Sequence, residues 1–342
     1  YLLGETPEVK NFFVCCGFNS IGIVSAGGAG KVTAEWMMNG EVNEDLFSLD
    51  ITRFEKFHSE TSFIIDRAAE SLGNQYAMHW PYKQLKTSRN IKTFPYHEHL
   101  KNKGACFGQV AGFESPLWYA INGNKPEFEY SFGYQNWYKS AKHETLSTRK
   151  DVGFFELTPF AKFQIEGKTA YSSLQYLCAN NIKKEPGSIT YTQMLNTNGG
   201  IETDLSVSCI SENIFRVVTG SAVREHDKKH ILKYLDDNLK FNDITDDYAC
   251  FGLFGPKSRA LLTDIVGNEF ENEIFPFGKG RLLKINNVDI WFQRLSYVGE
   301  LGWELYIPIK ESKKIYEIIH EAGKNHNLVH SGRLAMDIMR ME

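Results

Sequence analysis

Short apolar runs alternate with glycine-containing turns at the start of the chain. The run at residues 12–16 predicts a strand that is buried on both faces. A turn rich in Gly and Asn follows it, and residues 23–39 have the pattern of a helix that Gly40 ends. We therefore expect a strand, a glycine turn and a helix with little side-chain bulk on its first turns.

The pattern changes twice further along the chain. Residues 43–98 are rich in aromatic and charged residues, with a helix predicted at 63–72, and they are expected to form a small connecting domain. Residues 115–138 carry many aromatic residues punctuated by Pro and Gly, which predicts an extended segment lying across a surface.

From about residue 139 the pattern is that of an α+β domain. Hairpin turns are predicted at 198–200 and 286–287. Strands are predicted at 161–167, 191–196, 205–209, 215–219, 251–254, 281–285, 289–293 and 304–307. Helices are predicted at 171–178, 228–239 and 315–322, with one more starting at Pro256.

Composition limits the classes of partner. The chain has 342 residues, 42% of them hydrophobic, which is enough for two or three domains. Its net charge of -4 argues against nucleic acid or an anionic membrane as a partner. No apolar run approaches the roughly 20 residues that a membrane-spanning helix needs.

Cysteine and histidine spacings predict no metal site. The six cysteines form no CxxC pair, and Cys15 and Cys16 are expected to be small buried hydrophobic residues. This cysteine pattern fits a reducing compartment such as the cytoplasm. His226 and His230 have helical i, i+4 spacing without an evident third ligand. The chain opens at Tyr1 and stops within a helical pattern at 339–342, so both ends are expected to be truncations.

The first candidate for chemistry is the glycine-rich stretch 17–30. A helix N-terminus offers free backbone N–H groups and a partial positive charge, and glycines let a flat ligand approach closely. This arrangement would suit the electron-rich edge of a flavin. Tight helix–strand packing explains the glycines equally well, because the usual GxGxxG after a first strand is absent.

The second candidate combines residues 199–205 with residues 295–305. Each stretch places a carboxylate, Asp204 or Glu300, beside glycines. A pterin ring presents N–H donors that a carboxylate can accept in pairs, and a second carboxylate could stabilise positive charge at a reactive amine. The alternative is that both carboxylates only satisfy the backbone of their turns.

The motifs resemble those of a known family. CGFNSxGIxxAGGAG and DLFSLDITRF are similar to the flavin side of the dimethylglycine and sarcosine dehydrogenase family. YTxMLNxxGGIExDLxV and LSxVGELGWELxIP resemble the folate-binding domain that this family shares with the glycine-cleavage aminomethyltransferase, the T-protein. The resemblance implies an α+β fold with three parts. These are the C-terminal piece of an FAD-binding α/β domain (1–42), a central connecting domain (43–98) and a truncated T-protein-like folate-binding domain (99–342).

The resemblance also implies functional residues. Asp204 matches the family carboxylate at the folate amine nitrogen, the catalytic position, and Glu300 matches the one that holds the pterin. Tyr191 and Tyr297 match positions that line the folate pocket. The residues that match the flavin-facing turn are Phe18, Asn19, Ser20, Ile21, Gly22 and Ile23.

The family reaction gives the expected function. FAD oxidises an N-methyl group of dimethylglycine or sarcosine, and tetrahydrofolate captures the one-carbon unit before it is hydrolysed to formaldehyde. The expected partners are a small amine and an unidentified electron acceptor, in the cytoplasm or alternatively the mitochondrial matrix. Two other classes stay open: a folate-only aminomethyl- or methyltransferase, and a non-catalytic regulator resembling that of pyruvate dehydrogenase phosphatase.

Overall fold

The computed structural model describes residues 1–42 and 44–342. Residue 43, the predicted first residue of the connecting domain, lies outside the described residues. The first part of the chain pairs β1 (Leu2–Glu5) with β2 (Phe13–Cys16) in an antiparallel ribbon, and α1 (Gly22–Asn39) follows. Gly40 ends this helix in the left-handed conformation, at φ 75°, which glycine adopts without steric cost. The predicted order of strand, turn and helix is confirmed.

The predicted burial of β2 is wrong. Cys15 and Cys16 are exposed free thiols, whereas Phe13 packs edge-on against the buried Trp36 of α1 at 6.0 Å. Within the described residues β2 pairs with β1 alone, in a two-stranded sheet. A continuous apolar run predicts a strand, but it does not say which of the two faces another element covers.

The middle of the chain leads into the large domain. The predicted helix at 63–72 is α2 (Thr61–Asn74), and α3 (His97–Asn102) follows it. A hairpin of β3 (Ala105–Val110) and β4 (Phe113–Tyr119) comes next. Every residue of β4 is buried. The start of the aromatic segment 115–138 is therefore an internal strand and not an extended segment lying across a surface.

Two sheets account for most of the remaining residues. The strands, in chain order, are β5 (Val152–Glu156), β6 (Ala161–Glu166), β7 (Ile189–Leu195), β8 (Ile201–Ser211), β9 (Ile214–Thr219), β10 (Lys240–Asp243), β11 (Tyr248–Phe254), β12 (Gly280–Ile285), β13 (Val288–Gln293), β14 (Gly302–Pro308) and β15 (Leu328–Ser331). One sheet has the order β10-β6-β9-β8-β7 and the other β12-β13-β14-β11-β5-β15. Neighbouring strands are antiparallel except β5 and β15, which are parallel.

Helices pack against these sheets. They are α4 (Tyr138–Lys150), α5 (Ala170–Leu177), α6 (Arg224–Tyr234), α7 (Ser258–Val266), α8 (Ser312–Gly323) and α9 (Arg333–Arg340). In the described part of the chain, none of the helices has the length and apolar character needed to cross a bilayer.

Four apolar clusters hold the described part of the domain together, one of them between β4, α4 and α9. Buried residues of α5 and α6, such as Leu174 and Ile231, pack on the first sheet, and buried residues of α7 and α8 pack on the second. The third cluster joins the sheets, with Val218 of the first, Phe254 of the second and Met336 of α9. Burial of apolar area is the main driving force for this packing. It also fixes α9 beside the junction of the two sheets.

The two hairpin predictions are confirmed, and one helix prediction is displaced. Asn286 and Asn287 both have positive φ, at 47° and 65°, as a two-residue hairpin turn requires. The helix predicted at 228–239 is α6, at 224–234. Glu225 and Asp227 lie in its first turn, where carboxylates stabilise the helix dipole, and Leu235 ends it in an extended conformation.

Candidate functional site

Tyr191 and Asp204 lie on neighbouring strands of the first sheet. In the antiparallel register of β7 and β8, Asp204 is opposite Gln193, so that Tyr191 is two residues away on the same face. The Tyr191 hydroxyl donates a 2.6 Å hydrogen bond to Asp204 Oδ2. This hydrogen bond raises the pKa of Tyr191, and burial adds a smaller contribution. Both side chains are exposed, so that a ligand can reach the pair.

The turn between these strands is held by its own residues. Asn196 Oδ1 accepts hydrogen bonds from the backbone N–H groups of Asn198 at 3.0 Å and Gly200 at 2.8 Å. Gly199 has φ +81°, a conformation that residues with a β-carbon rarely adopt. The sequence Asn-Thr-Asn-Gly-Gly therefore forms this hairpin turn locally, and the turn places Asp204 at the exposed end of β8.

Glu300 lies in the connection between β13 and β14 and is held by a residue distant in sequence. Arg149, in the last turn of α4, donates to Glu300 Oε1 at 2.8 Å and to the Val298 carbonyl at 3.1 Å. The hydrogen bond to Glu300 raises the pKa of Arg149. Charge-assisted hydrogen bonds of this kind are stronger than neutral ones and fix the orientation of the carboxylate.

A second arginine, Arg340, acts on two tyrosines of the candidate site. The Arg340 guanidinium lies 4.2 Å from the centroid of the Tyr297 ring, at the end of α9. Its charge also acts on Tyr191, where it opposes the rise in pKa that Asp204 causes. The charge of Arg340 therefore acts on both Tyr297 and Tyr191.

Arg149 and Arg340 are the residues that sequence reasoning missed. Arg149 also bonds to the carbonyl of Met339 at 3.4 Å and to Glu342 Oε2 at 2.5 Å, so it ties Glu300 to the end of α9. Each arginine lies at the end of a helix, where a cation is favoured with or without a ligand nearby. No spacing in the sequence links either residue to the turns that carry the carboxylates.

The arrangement fits a flat, nitrogen-rich ligand. Asp204 and Glu300 are acceptors for N–H groups, and Tyr297 offers a ring face between Arg340 and Phe160, whose ring centroid is 6.2 Å away. A pterin has both an aromatic face and an edge of N–H donors. The residues present therefore fit the folate that the sequence motifs imply.

The flavin-facing turn has a different character. Residues 19–21 form a short 3-10 turn, and α1 begins at Gly22 without a side-chain cap on its first N–H groups. The N–H of Gly22 bonds to the Asn19 carbonyl, and the helix start with its partial positive charge fits the electron-rich edge of a flavin. Phe18 stacks on Tyr1 at 5.5 Å, and Ile23 is 98% exposed.

The glycines that follow this turn do not pack against the described chain. A methyl group added at Gly27, Gly28 or Gly30 would meet no atom within 4 Å outside the helix backbone, among residues 1–42 and 44–342. Tight helix–strand packing within this part of the chain therefore does not explain them. Their role in bringing a flavin close to the backbone stays a prediction.

One helix runs from the flavin-facing turn to the folate-side turn. The 18 residues of α1 span roughly 27 Å, at about 1.5 Å per residue. Just beyond its end, Glu41 Oε1 accepts from the Thr197 hydroxyl and, at 3.1 Å, from Asn198 Nδ2. The two candidate sites are thus connected directly, but they lie at opposite ends of this helix.

Comparison with known proteins covers the whole chain. The protein-family model described as GCVT N-terminal domain matches residues 96–342. The family model described as FAD dependent oxidoreductase central domain matches residues 39–93. The chain is 36% identical over 343 residues to 4-methylaminobutanoate oxidase (formaldehyde-forming) of Paenarthrobacter nicotinovorans, and 32% identical over 384 residues to mitochondrial sarcosine dehydrogenase of Homo sapiens. Both alignments cover 100% of this chain and 42% of the relative.

A regulatory protein is similar to a comparable degree. The chain is 30% identical over 350 residues to the mitochondrial pyruvate dehydrogenase phosphatase regulatory subunit of Mus musculus, covering 100% of this chain and 40% of the relative. The chain therefore spans less than half the length of these three relatives.

A solved structure shows the fold. Glycine cleavage system aminomethyltransferase T from Bartonella henselae superposes with a TM-score of 0.60 at 24% identity, covering 74% of this chain and 62% of that one. The predicted T-protein-like α+β fold is confirmed. The chain belongs to the GCVT N-terminal domain family, and the additional match to the FAD dependent oxidoreductase central domain confirms its resemblance to the dimethylglycine and sarcosine dehydrogenase family.

Proposed function

We propose that this chain supplies the folate-side site and one flavin-facing turn of an FAD-dependent dehydrogenase. The enzyme would oxidise an N-methyl group of dimethylglycine or sarcosine and transfer the one-carbon unit to tetrahydrofolate. The observation that carries the proposal is the Tyr191–Asp204 hydrogen bond together with Arg340, whose charge acts on both Tyr191 and Tyr297, on the domain that matches the GCVT model.

Asp204 is the proposed catalytic residue. Tetrahydrofolate, when bound, would supply the amine nitrogen that captures the one-carbon unit. Asp204 accepts the proton that this nitrogen loses, or stabilises the positive charge that develops on it. The Tyr191 hydroxyl bonds to Oδ2 and leaves Oδ1 as the acceptor of that proton. Tyr191 thereby orients the carboxylate towards the ligand.

Glu300 and Tyr297 bind the ligand in this proposal, and Arg340 supports Tyr297. Glu300 accepts the N–H groups along the edge of the pterin, and Arg149 holds its carboxylate in orientation. Tyr297 packs on the face of the ring, and Arg340 holds Tyr297 in position.

The flavin would supply the two-electron oxidation of the amine at the other end of α1. The residues proposed to contact it are Phe18, Asn19, Ser20, Ile21, Gly22 and Ile23. The start of α1, which no side chain caps, favours negative charge on the ring through the helix dipole, and this charge increases on reduction. Because the two sites lie at opposite ends of α1, which is roughly 27 Å long, the oxidised amine must pass between them without meeting bulk water.

Two other functions are distinguishable from this one. A folate-only transferase would not account for the match of residues 39–93 to an FAD dependent oxidoreductase central domain. The similarity to the mouse phosphatase regulatory subunit supports the second alternative, a non-catalytic regulator. Amine-dependent flavin reduction would be absent from such a regulator. The electron acceptor is not identified, and the cytoplasm, with the mitochondrial matrix as alternative, is the proposed compartment.

The test uses the full-length protein that contains this chain, with FAD bound. It is mixed without oxygen with dimethylglycine, sarcosine or, as a control without an N-methyl group, glycine. We expect the two N-methyl amines to reduce the flavin and glycine to leave it oxidised. The one-carbon product should be 5,10-methylenetetrahydrofolate when tetrahydrofolate is present and formaldehyde when it is absent.

Two outcomes would contradict the proposal in different ways. A flavin that stays oxidised with every amine would favour the regulatory alternative. Flavin reduction with formaldehyde released whether or not tetrahydrofolate is present would remove the folate half of the reaction. The protein would then resemble the formaldehyde-forming oxidase of Paenarthrobacter nicotinovorans in its product.

A further inference from the structure

The start of α6 contacts β8 on both faces of the strand. Side chains alternate along a strand, so Thr203 points inward while Glu202 and Asp204 point outward. The fully buried Asp227 of α6 accepts 2.5 Å hydrogen bonds at Oδ2 from the hydroxyls of Thr203 and Thr219. This carboxylate is therefore bound to the inner face of β8, one residue before Asp204.

The neighbouring residue, His226, reaches the outer face. Its Nδ1 lies 2.9 Å from Asp227 Oδ1, and its Nε2 lies 3.4 Å from Glu202 Oε2. Burial lowers the pKa of His226, but the hydrogen bonds to Asp227 and Glu202 outweigh it and raise that pKa to about 10. The ring is therefore an imidazolium at neutral pH and can donate from both nitrogens.

The contacts continue from Glu202 to the hairpin turn. Glu202 Oε1 accepts a 3.0 Å hydrogen bond from Asn196 Nδ2, and Asn196 Oδ1 in turn holds the backbone of the turn. On the inner side, the Thr219 hydroxyl lies 3.4 Å from the Asp204 carbonyl. The backbone around Asp204 is thus tied to α6 through the turn on one side and through Thr219 on the other.

The segment before the large domain closes this arrangement. Phe47 packs edge-on against the His226 ring at 5.8 Å. Glu41 accepts hydrogen bonds from Thr197 and Asn198 in the same hairpin turn. The part of the chain that follows α1 therefore contacts both His226 and the hairpin turn at the end of this series of hydrogen bonds.

We propose that His226, bonded to Asp227 and Glu202, is a positioning residue that holds Asp204 and its turn in the geometry needed for folate capture. We refer to these three residues as the His226 clamp. The inference rests on the proposed function of Asp204. His226 itself does not contact the ligand in this proposal and acts through Glu202 and the turn.

The test compares His226→Gln and Glu202→Gln with His230→Gln in the full-length protein. His230 is a matched control because it lies one turn further along α6 and packs against Tyr234, with ring centroids 5.4 Å apart. We expect His226→Gln to lower the rate of one-carbon capture by about tenfold or more, since small displacements of a reacting group have effects of this size. The rate of amine-dependent flavin reduction in His226→Gln should match that of the wild type. In His230→Gln, both the rate of capture and the rate of flavin reduction should match those of the wild type.

A double variant separates positioning from general damage. In an Asp204→Asn background, His226→Gln should cause no further loss of capture, because the clamp acts through Asp204. An additional loss of the same size in that background would overturn the proposal. If His226→Gln does not fold, Glu202→Gln decides, since Glu202 is a partly exposed residue whose loss leaves the Asp227–Thr203 bonds intact.

Amide hydrogen exchange tests the clamp without relying on activity. Exchange in residues 196–205 should be faster in His226→Gln than in the wild type or His230→Gln, and exchange elsewhere should be unchanged. Unchanged exchange in that segment would overturn the proposal. If the wild type shows no folate capture, the proposed function fails, and the exchange result still decides whether the clamp orders the turn.

Discussion

The flavin-facing turn and the folate-side residues are built in opposite ways. The turn at 18–23 relies on the uncapped start of α1, and its residues are largely exposed. On the folate side, Glu300 is oriented by Arg149, and the turn before Asp204 is bonded to α6. A candidate site formed by backbone N–H groups needs only its local sequence. A candidate site formed by side chains needs supporting residues from distant parts of the chain.

The largest expected effect concerns FAD. This chain, produced as given, should retain no flavin, because it carries one flavin-facing turn and its sequence has no GxGxxG to bind the pyrophosphate. The chain is mixed with FAD, passed through a desalting column and examined for visible flavin absorbance. Retention of one FAD per chain would show that the turn binds flavin without the pyrophosphate unit.

The next effect should be specific to the folate side. Asp204→Asn keeps the volume but removes the charge and basicity, and such groups contribute about a hundredfold or more. In the full-length protein the flavin should be reduced normally, while formaldehyde is released even with tetrahydrofolate present. Both products are measured, with Asp289→Asn, an exposed carboxylate on β13, as the control.

Two results would change the interpretation of Asp204. Wild-type formation of 5,10-methylenetetrahydrofolate by the variant would make Asp204 a structural residue of its turn. Loss of flavin reduction as well would show that the substitution has damaged the fold.

A smaller effect is expected at Glu300. Glu300→Gln replaces one of the two acceptor oxygens with a donor, and loss of a charge-assisted hydrogen bond costs about 1.5–3 kcal/mol. Calorimetry on the full-length protein should show tetrahydrofolate binding at least about tenfold weaker. Glu185→Gln is the control, since Glu185 forms an ion pair with Lys279 at 2.7 Å. An affinity equal to that of the wild type would remove Glu300 from the site.

The smallest effect should come from Arg340. Arg340→Met removes the cation over Tyr297, and an exposed cation–π contact contributes about 0.5–1 kcal/mol. Tetrahydrofolate binding should weaken roughly two- to fivefold. Arg281→Met, which removes a cation 5.7 Å from the Phe275 ring, should have no effect. A loss as large as that of Glu300→Gln would mean that Arg340 contacts the ligand directly.

Much of the fold followed from local sequence patterns. The hairpin turn at 286–287 is confirmed because two consecutive asparagines tolerate positive φ. The end of α1 at Gly40 is confirmed for the same kind of reason. The structure places α6 earlier in the chain than predicted. Its hydrophobic periodicity is weak, so its acidic first turn decided where it begins.

The sequence by itself determined the order of strands and turns, the family and the two stretches that carry Asp204 and Glu300. Only the tertiary structure decided that Cys15 and Cys16 are exposed and that Arg149 holds Glu300. The physical reason is range. Turn and helix signals depend on hydrogen bonds between residues a few positions apart, whereas Arg149 and Glu300 are 151 residues apart. A contact of that kind exists only after α4 has packed beside the connection between β13 and β14.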